Sequence, residues 1–399
     1  MPQISQKGKS MPASPIRKLV PYADIAKAKG RTVYHLNIGQ PDILSPQAAL
    51  DAIHNFPNKI IEYGHSAGNL SYRKGLEKYY NDLGMNITYN DILVTTGGSE
   101  ALILSLTVCL NSGDEVIIPE PFYTNYNAFV EQAGVKIVPV PTSIETGFAL
   151  PPISEFERRI TPRTRAILLC NPNNPTGYIY SKEELESLRE IVLRHDLFLI
   201  CDEVYRVFCY TGEKYHSCMD LEGLEDNVII VDSTSKRYSM CGIRVGAIIT
   251  RNKEVSAAML HFCQSRLCAP AIGQVAAEAA LSASDTYFEE IRREYMSRRD
   301  CLIEGMNSID GVLCPSPAGA FYTIARLPVD NAETFAAWML SEFEYKRQTV
   351  MVAPAAGFYK TENMGVDEVR IAYVLKKEHL RNAVECIKHA IDEYNSISG

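Results

Sequence analysis

Val228-Ile229-Ile230-Val231-Asp232-Ser233-Thr234-Ser235-Lys236, followed by Gly242, Arg244 and Gly246, is the stretch that decides how this 399-residue chain is read. A continuous apolar run that ends in hydroxyls and a lysine describes a buried strand whose last residues open onto a turn. There an amine such as that of Lys236 can form an imine with an aldehyde cofactor, while Ser233, Ser235 and Arg244 can hold an anion. A solvated lysine beside an ordinary Ser/Thr turn is the rival reading, and the rest of the chain has to decide between them.

On both sides of this stretch, short β-branched runs alternate with amphipathic ones. Ile92-Val94, Val116-Ile118, Val135-Val138, Ala166-Cys170, Leu197-Cys201, Val228-Val231 and Val245-Ile249 read as strands buried on both faces. Helical patterns lie between them, from Ser99 to Leu110 after a Gly-Gly turn and from Ser181 to His195 behind the capping box Ser181-Lys182-Glu183-Glu184. This predicts an α/β domain with a mostly parallel sheet of about seven strands. Beyond Ala269 the pattern changes to a long charged helix (Ser284 to Met306), strands at Gly311 to Leu327 and Val369 to Val374, and a last helix from Lys377, which predicts a smaller α+β domain.

Composition narrows the function. A formal charge of −8 argues against a nucleic-acid or anionic-membrane partner. The longest apolar stretch, Ala101 to Leu110, is too short to span a bilayer, and the polar Met1 to Ser14 segment has no apolar core of a secretory signal. Eleven cysteines without a CxxC pair read as free thiols in a reducing compartment, so the cytoplasm is expected. No His/Cys/Asp/Glu cluster has metal spacing, so no metal is expected.

In open α/β sheets ligands sit beyond the carboxyl ends of the strands, and the unusual clusters of this chain fall there. Gly98, Ser99 and Glu100 open a helix after the first strand, where backbone N–H groups and the helix dipole favour an anion. Asn174 lies in Asn171-Pro172-Asn173-Asn174-Pro175-Thr176-Gly177 after the fourth strand, and Asp202 with Tyr205 closes the fifth.

Together these motifs resemble the class I/II aminotransferases, fold-type I enzymes that use pyridoxal 5'-phosphate, and the similarity runs from about Pro15 to the C-terminus. It implies that Lys236 holds the cofactor aldehyde as an imine and, once freed, moves the substrate proton, with Asp202 and Tyr205 as the other catalytic residues. It also implies that Asp202 pairs with the pyridine nitrogen and that Asn174 and Tyr205 bond the phenolic oxygen. Tyr123 takes the place of the ring-stacking aromatic. Gly98, Ser99, Glu100, Ser233, Ser235 and Arg244 fall at the phosphate, and Tyr63, within Tyr63-x4-Gly68-x4-Arg73, reaches the phosphate of a neighbouring subunit, which implies a homodimer. For the substrate, Arg370 in Val369-Arg370-Ile371 suits an α-carboxylate, which a guanidinium grips with two parallel bonds. Asn174, Gly39, Ile16 and Arg17 complete that group, with Arg17 a candidate for a second carboxylate.

The implied activity is transfer of an amino group from an L-amino acid, aspartate weakly preferred, to a 2-oxo acid. The same cofactor residues also serve C–S β-lyases and non-enzymic regulator modules, but no N-terminal DNA-binding domain fits before Asn37-Ile38-Gly39. The resemblance implies residues 1–45 as an arm and part of the small domain, 46–272 as the cofactor-binding domain and 273–399 as the C-terminal small domain. Gly8-Lys9-Ser10 lacks the earlier glycine and the strand of a phosphate loop, and no GxGxxG follows a strand.

Overall fold

The computed structural model describes residues 2–12, 14–57 and 59–398. Seven strands form the central sheet: β1 Ile92–Thr95, β2 Glu115–Glu120, β3 Lys136–Pro141, β4 Thr164–Cys170, β5 Phe198–Asp202, β6 Val228–Ser233 and β7 Gly246–Ile249. Their spatial order is β1-β7-β6-β5-β4-β2-β3, and only β7 runs against its neighbours. The apolar runs are continuous because helices cover both faces: β1 and β6 have no exposed residue at all.

Local signals set the helices that cover the sheet. Ser181 Oγ accepts from the Glu184 N–H at 3.1 Å and Glu184 Oε2 accepts from the Ser181 N–H at 2.7 Å, so the capping box closes the start of helix Lys182–His195. Leu185, Leu188, Ile191 and Val192 then form its buried stripe. Helix Gly98–Cys109 buries Ala101, Leu102, Leu104, Ser105 and Leu106, so it is apolar nearly all round and sits inside the molecule.

The C-terminal third holds helix Asp285–Asn307, a three-stranded antiparallel sheet of Ala353–Pro354, Glu368–Ala372 and Tyr322–Arg326, and the closing helix Lys377–Ser398. The expected strand over Gly311 to Leu327 is shorter than its sequence suggested: only Tyr322–Arg326 forms a ladder, with two isolated bridges, Leu313 to Arg326 and Gly319 to Cys209. Pro315, Pro317 and Gly319 interrupt the ladder before it. The N-terminal strand Thr32–His35 pairs in parallel with Gln348–Met351, and the Ala372 N–H donates to Leu36 O at 2.8 Å. This pairing carries the next residues, Asn37 to Gln40, across to the edge of the central sheet.

All eleven cysteines are free thiols. Cys201, Glu203 and Cys218 lie close enough together to hold a metal. Glu203, however, already accepts from Arg206 Nη2 at 2.6 Å, Ser217 Oγ at 2.7 Å and the Cys218 N–H at 3.0 Å, so its carboxylate is taken up by a buried ion pair and its hydrogen bonds. Among the described residues no helix is long and apolar enough to cross a membrane.

A second buried pair underlies the decisive turn. Asp232 meets Arg237 Nη2 at 2.8 Å and accepts from Tyr80 Oη at 2.5 Å, and the Arg237 guanidinium stacks 4.4 Å from the centre of Tyr79. The pair clamps the short helix Thr234–Arg237, which carries Lys236. Breaking one half leaves an uncompensated buried charge, so Arg237→Ala is expected to cost about 3–5 kcal/mol. The double variant Asp232→Leu/Arg237→Met should recover much of that loss, as read from guanidinium-induced unfolding of the two variants beside the parent.

Candidate active site

Because β1, β4, β5 and β6 run in one direction, their last residues Thr95, Cys170, Asp202 and Ser233 share one edge of the sheet. A cavity of about 340 Å³ opens there. Of the expected site residues, Ile16, Arg17, Gly39, Gly98, Ser99, Tyr123, Asn174, Asp202, Tyr205, Ser233, Ser235, Lys236, Arg244 and Arg370 line it.

At one end stand the N-terminus of helix Gly98–Cys109, the hydroxyls of Ser233 and Ser235, which are 2.9 Å apart, and Arg244. Arg244 donates to Cys241 O at 3.0 Å and takes no carboxylate partner among the described residues. Gly97, at φ +79°, lies so close that a Cβ there would stand 2.4 Å from Arg244 Nη2. Backbone N–H groups, hydroxyls and an unneutralised guanidinium together make an anion seat. Glu100 stays outside it: its carboxylate accepts from the Thr96 N–H at 2.6 Å and pairs with Arg266 Nε at 3.1 Å, so its acid closes the helix start and does not face the cavity.

Across the floor lies Asp202. It accepts from Tyr126 Oη at 2.9 Å and weakly from the Val204 N–H at 3.3 Å. Burial pushes its carboxyl up to about 7, helped by the neighbouring Asp232 and Glu203 and opposed by those two hydrogen bonds. Such a carboxyl becomes a stable anion once a cation, such as a protonated ring nitrogen, faces it. Tyr205 Oη accepts from Asn174 Nδ2 at 3.4 Å and lies 3.1 Å from Tyr322 Oη, while burial raises its phenol well above the ordinary range and keeps it neutral. Burial likewise pushes the Tyr123 phenol to about 12.

Lys236 Nζ donates to Gly39 O at 2.8 Å, near the centre of the cavity. Gly39 is a glycine for a steric reason: a Cβ would fall 1.7 Å from Tyr322 Oη. At the far end Arg370 is buried to 2% exposure, donates to Asn174 Oδ1 at 3.3 Å and to Asn37 O, and leaves Nε without a partner. No carboxylate neutralises it among the described residues, and burial lowers the guanidinium's proton affinity. A buried cation with a free donor is a seat for an anion brought from outside.

The donor set therefore fits pyridoxal 5'-phosphate: an anion seat, a lysine amine, a buried carboxyl and neutral phenols stand around one cavity. Two features were missed from the sequence. Tyr322 and Tyr126 touch the site directly, yet in a chain with 22 tyrosines neither carries a motif of its own. Tyr63 is 80% exposed and lies outside the cavity of its own chain.

Residues 31–387 match the family described as aminotransferase class I and II. The chain is 31% identical to the aspartate aminotransferase of Musicola paradisiaca over 93% of its own length and 92% of the relative's. It is 30% identical to aromatic-amino-acid aminotransferase 2 of Thermococcus litoralis, over 98% of each. The solved alanine aminotransferase of Pyrococcus furiosus superposes with a TM-score of 0.90 at 30% identity, over 98% of this chain and all (100%) of that one.

The raised carboxyl gives a stability test that needs no turnover. In the cofactor-free protein Asp202 holds its proton up to about pH 7, whereas an aspartate in the unfolded chain loses it near 3.8. The native state therefore binds more protons in that window, and stability falls as pH rises through it. Asp202→Asn has no such ionisation. Relative to the parent it should gain stability between pH 4 and pH 8, by up to roughly 4 kcal/mol. Urea midpoints of both cofactor-free proteins across that range check this, and a pH-independent difference contradicts it.

Proposed function

We propose how the residues divide the work in a chain that belongs to the class I and II aminotransferases and is accordingly a pyridoxal-phosphate-dependent enzyme passing amino groups between amino acids and 2-oxo acids. The observation that carries the assignment is Arg370, a buried guanidinium with an unpartnered Nε in the cavity that Lys236 also lines.

Pyridoxal 5'-phosphate supplies, when bound, an aldehyde that takes up the amino group and a ring that accepts the electron pair left on the substrate Cα. Ser233, Ser235, Arg244 and the N–H groups of Gly98 and Ser99 hold its phosphate. Asp202 keeps the ring nitrogen protonated. Asn174 and Tyr205 donate to the phenolic oxygen, and Tyr123 covers the ring. Arg370 takes the α-carboxylate with Asn174 beside it, and Gly39 leaves room for Tyr322 to close the opposite side. Lys236 Nζ, whose amine reaches Gly39 O in the cofactor-free protein, would be the base that lifts the proton from the substrate Cα.

The donor read here is aspartate, in line with the name of the Musicola relative. Arg17 supports it as the cation for a second carboxylate: it is exposed at the cavity wall next to Ile16 and forms no ion pair among the described residues. The working unit is read as a homodimer in the cytoplasm. Support comes from Ile60, Ile61 and Tyr63, exposed at 72%, 60% and 80%, an apolar segment that a second copy would cover. The chain divides into residues 1–45, 46–272 and 273–399, and the pairing of Thr32–His35 with Gln348–Met351 supports grouping the arm with the last third.

Lys236→Ala is expected to abolish turnover and to remove the long-wavelength absorbance of the cofactor-loaded protein, checked by spectrum and by glutamate formation from 2-oxoglutarate. For specificity, Arg17→Ala should lower kcat/KM for aspartate by about 1 kcal/mol, the worth of an exposed pair, and leave an aromatic donor nearly unchanged. A donor panel with 2-oxoglutarate reads this, and an equal loss for both donors makes Arg17 structural.

A further inference from the structure

Two buried tyrosine hydroxyls, from positions 117 residues apart, meet inside the catalytic cavity: Tyr205 Oη and Tyr322 Oη stand 3.1 Å from each other. Strand pairing brings the second one there. Tyr322–Arg326 runs antiparallel to Glu368–Ala372 with Ile324 opposite Arg370, so Tyr322 lies two residues along on the face that carries this arginine. Its ring centre is 4.7 Å from Arg370 Cζ and meets the Tyr205 ring edge-on at 5.6 Å. The absent Cβ of Gly39 leaves the space that its hydroxyl fills.

Each hydroxyl has one hydrogen to give and two lone pairs to receive. In the cofactor-free protein either of the two can donate to the other. Tyr322 has a second acceptor in Gly39 O at 3.4 Å, a longer contact to an oxygen that already takes Lys236 Nζ at 2.8 Å. On the other side Asn174 Oδ1 accepts from Arg370 Nη1 at 3.3 Å, which turns Asn174 Nδ2 toward Tyr205 Oη, 3.4 Å away. The Tyr205 oxygen therefore already receives one bond.

Once the phenolic oxygen of the cofactor faces it, Tyr205 gives its hydrogen there, because an anionic oxygen is the stronger acceptor. Two oxygens 3.1 Å apart with no hydrogen between them repel, so the hydrogen between the tyrosines then comes from Tyr322. Both lone pairs of Tyr205 are filled, and its own O–H is polarised toward the cofactor.

We propose that Tyr322 is a positioning residue for the amino-group transfer: its hydroxyl donates to Tyr205 Oη and thereby holds the Tyr205 hydrogen on the phenolic oxygen. The inference rests on the assignment of pyridoxal 5'-phosphate to this cavity. A stronger donor at the phenolic oxygen stabilises its anionic form, and so favours loss of the proton that this oxygen shares with Lys236 Nζ. Asp202, Lys236, Arg370, Tyr123 and Cys170 are the charged and titratable side chains around the pair, and replacing Tyr322 with phenylalanine removes none of them.

The visible absorbance of the cofactor-loaded protein, titrated with pH in the absence of substrate, tests this without turnover. Tyr322→Phe keeps the ring against Arg370 and removes only the hydroxyl. It is expected to raise the absorbance midpoint by roughly half a pH unit to one unit, the worth of one hydrogen bond. In a Tyr205→Phe background the same change should leave the midpoint nearly unmoved, because the hydroxyl acts through Tyr205. A tyrosine that only fills space would change the urea midpoint of unfolding and leave the absorbance midpoint where it is. That result, or a shift of equal size in both backgrounds, overturns the proposal. A parent protein that gains no visible absorbance with the cofactor overturns the assignment beneath it, and this inference with it.

Discussion

The buried pair of Asp232 with Arg237 is the constraint on which the cavity depends. It brackets Lys236 in sequence, closes the end of β6 against Tyr80 and fixes the one-turn helix from which the lysine reaches Gly39 O. A four-residue helix has no stability of its own, since nucleation fixes several dihedrals for a single hydrogen bond. Its geometry is borrowed from the ion pair beneath it and from the Ser233 side chain, which accepts from the Ser235 N–H at 3.1 Å.

That clamp also explains how two aspartates on neighbouring strands come to differ. Asp202 pairs in register with Val231, one residue before Asp232, and both carboxyls are buried. Asp232 faces Arg237 and Arg206, which outweigh burial and hold it below the usual carboxylate range. Asp202 forms no ion pair among the described residues and accepts only from a phenol and a weak backbone donor, so burial dominates and lifts it. One edge of one sheet thus holds a carboxylate that is already satisfied and a carboxyl that lacks a cationic partner. Arg370 is the counterpart at the other end of the space, a buried cation in need of an anion.

Much of this was legible in the chain. The β-branched runs at Ile92, Val116, Ala166, Leu197 and Val228 marked strands with two covered faces, and the topology of a parallel sheet then put their ends on one edge. Ser181 and Glu184 marked a helix start that the structure forms as written. Periodicity failed where prolines interrupt: the stretch from Gly311 holds apolar residues in an extended chain, but Pro315 and Pro317 have no N–H to give a ladder.

By itself, the sequence determined the layer architecture, the strand ends and the residue types gathered there, because these follow from local pattern and from the rule that ligands lie beyond parallel strand ends. Only tertiary structure decided which acid faces the cavity and which is spent. Glu100 turns back to the Thr96 N–H and Arg266, while Asp202 forms no ion pair among the described residues. It also decided that Tyr322 and Tyr126, nearly 200 residues apart (196), complete the same space. The reason is physical: a side chain's charge and reach are written in its residue type, but its desolvation and its partner are set by whatever distant segments the fold packs against it.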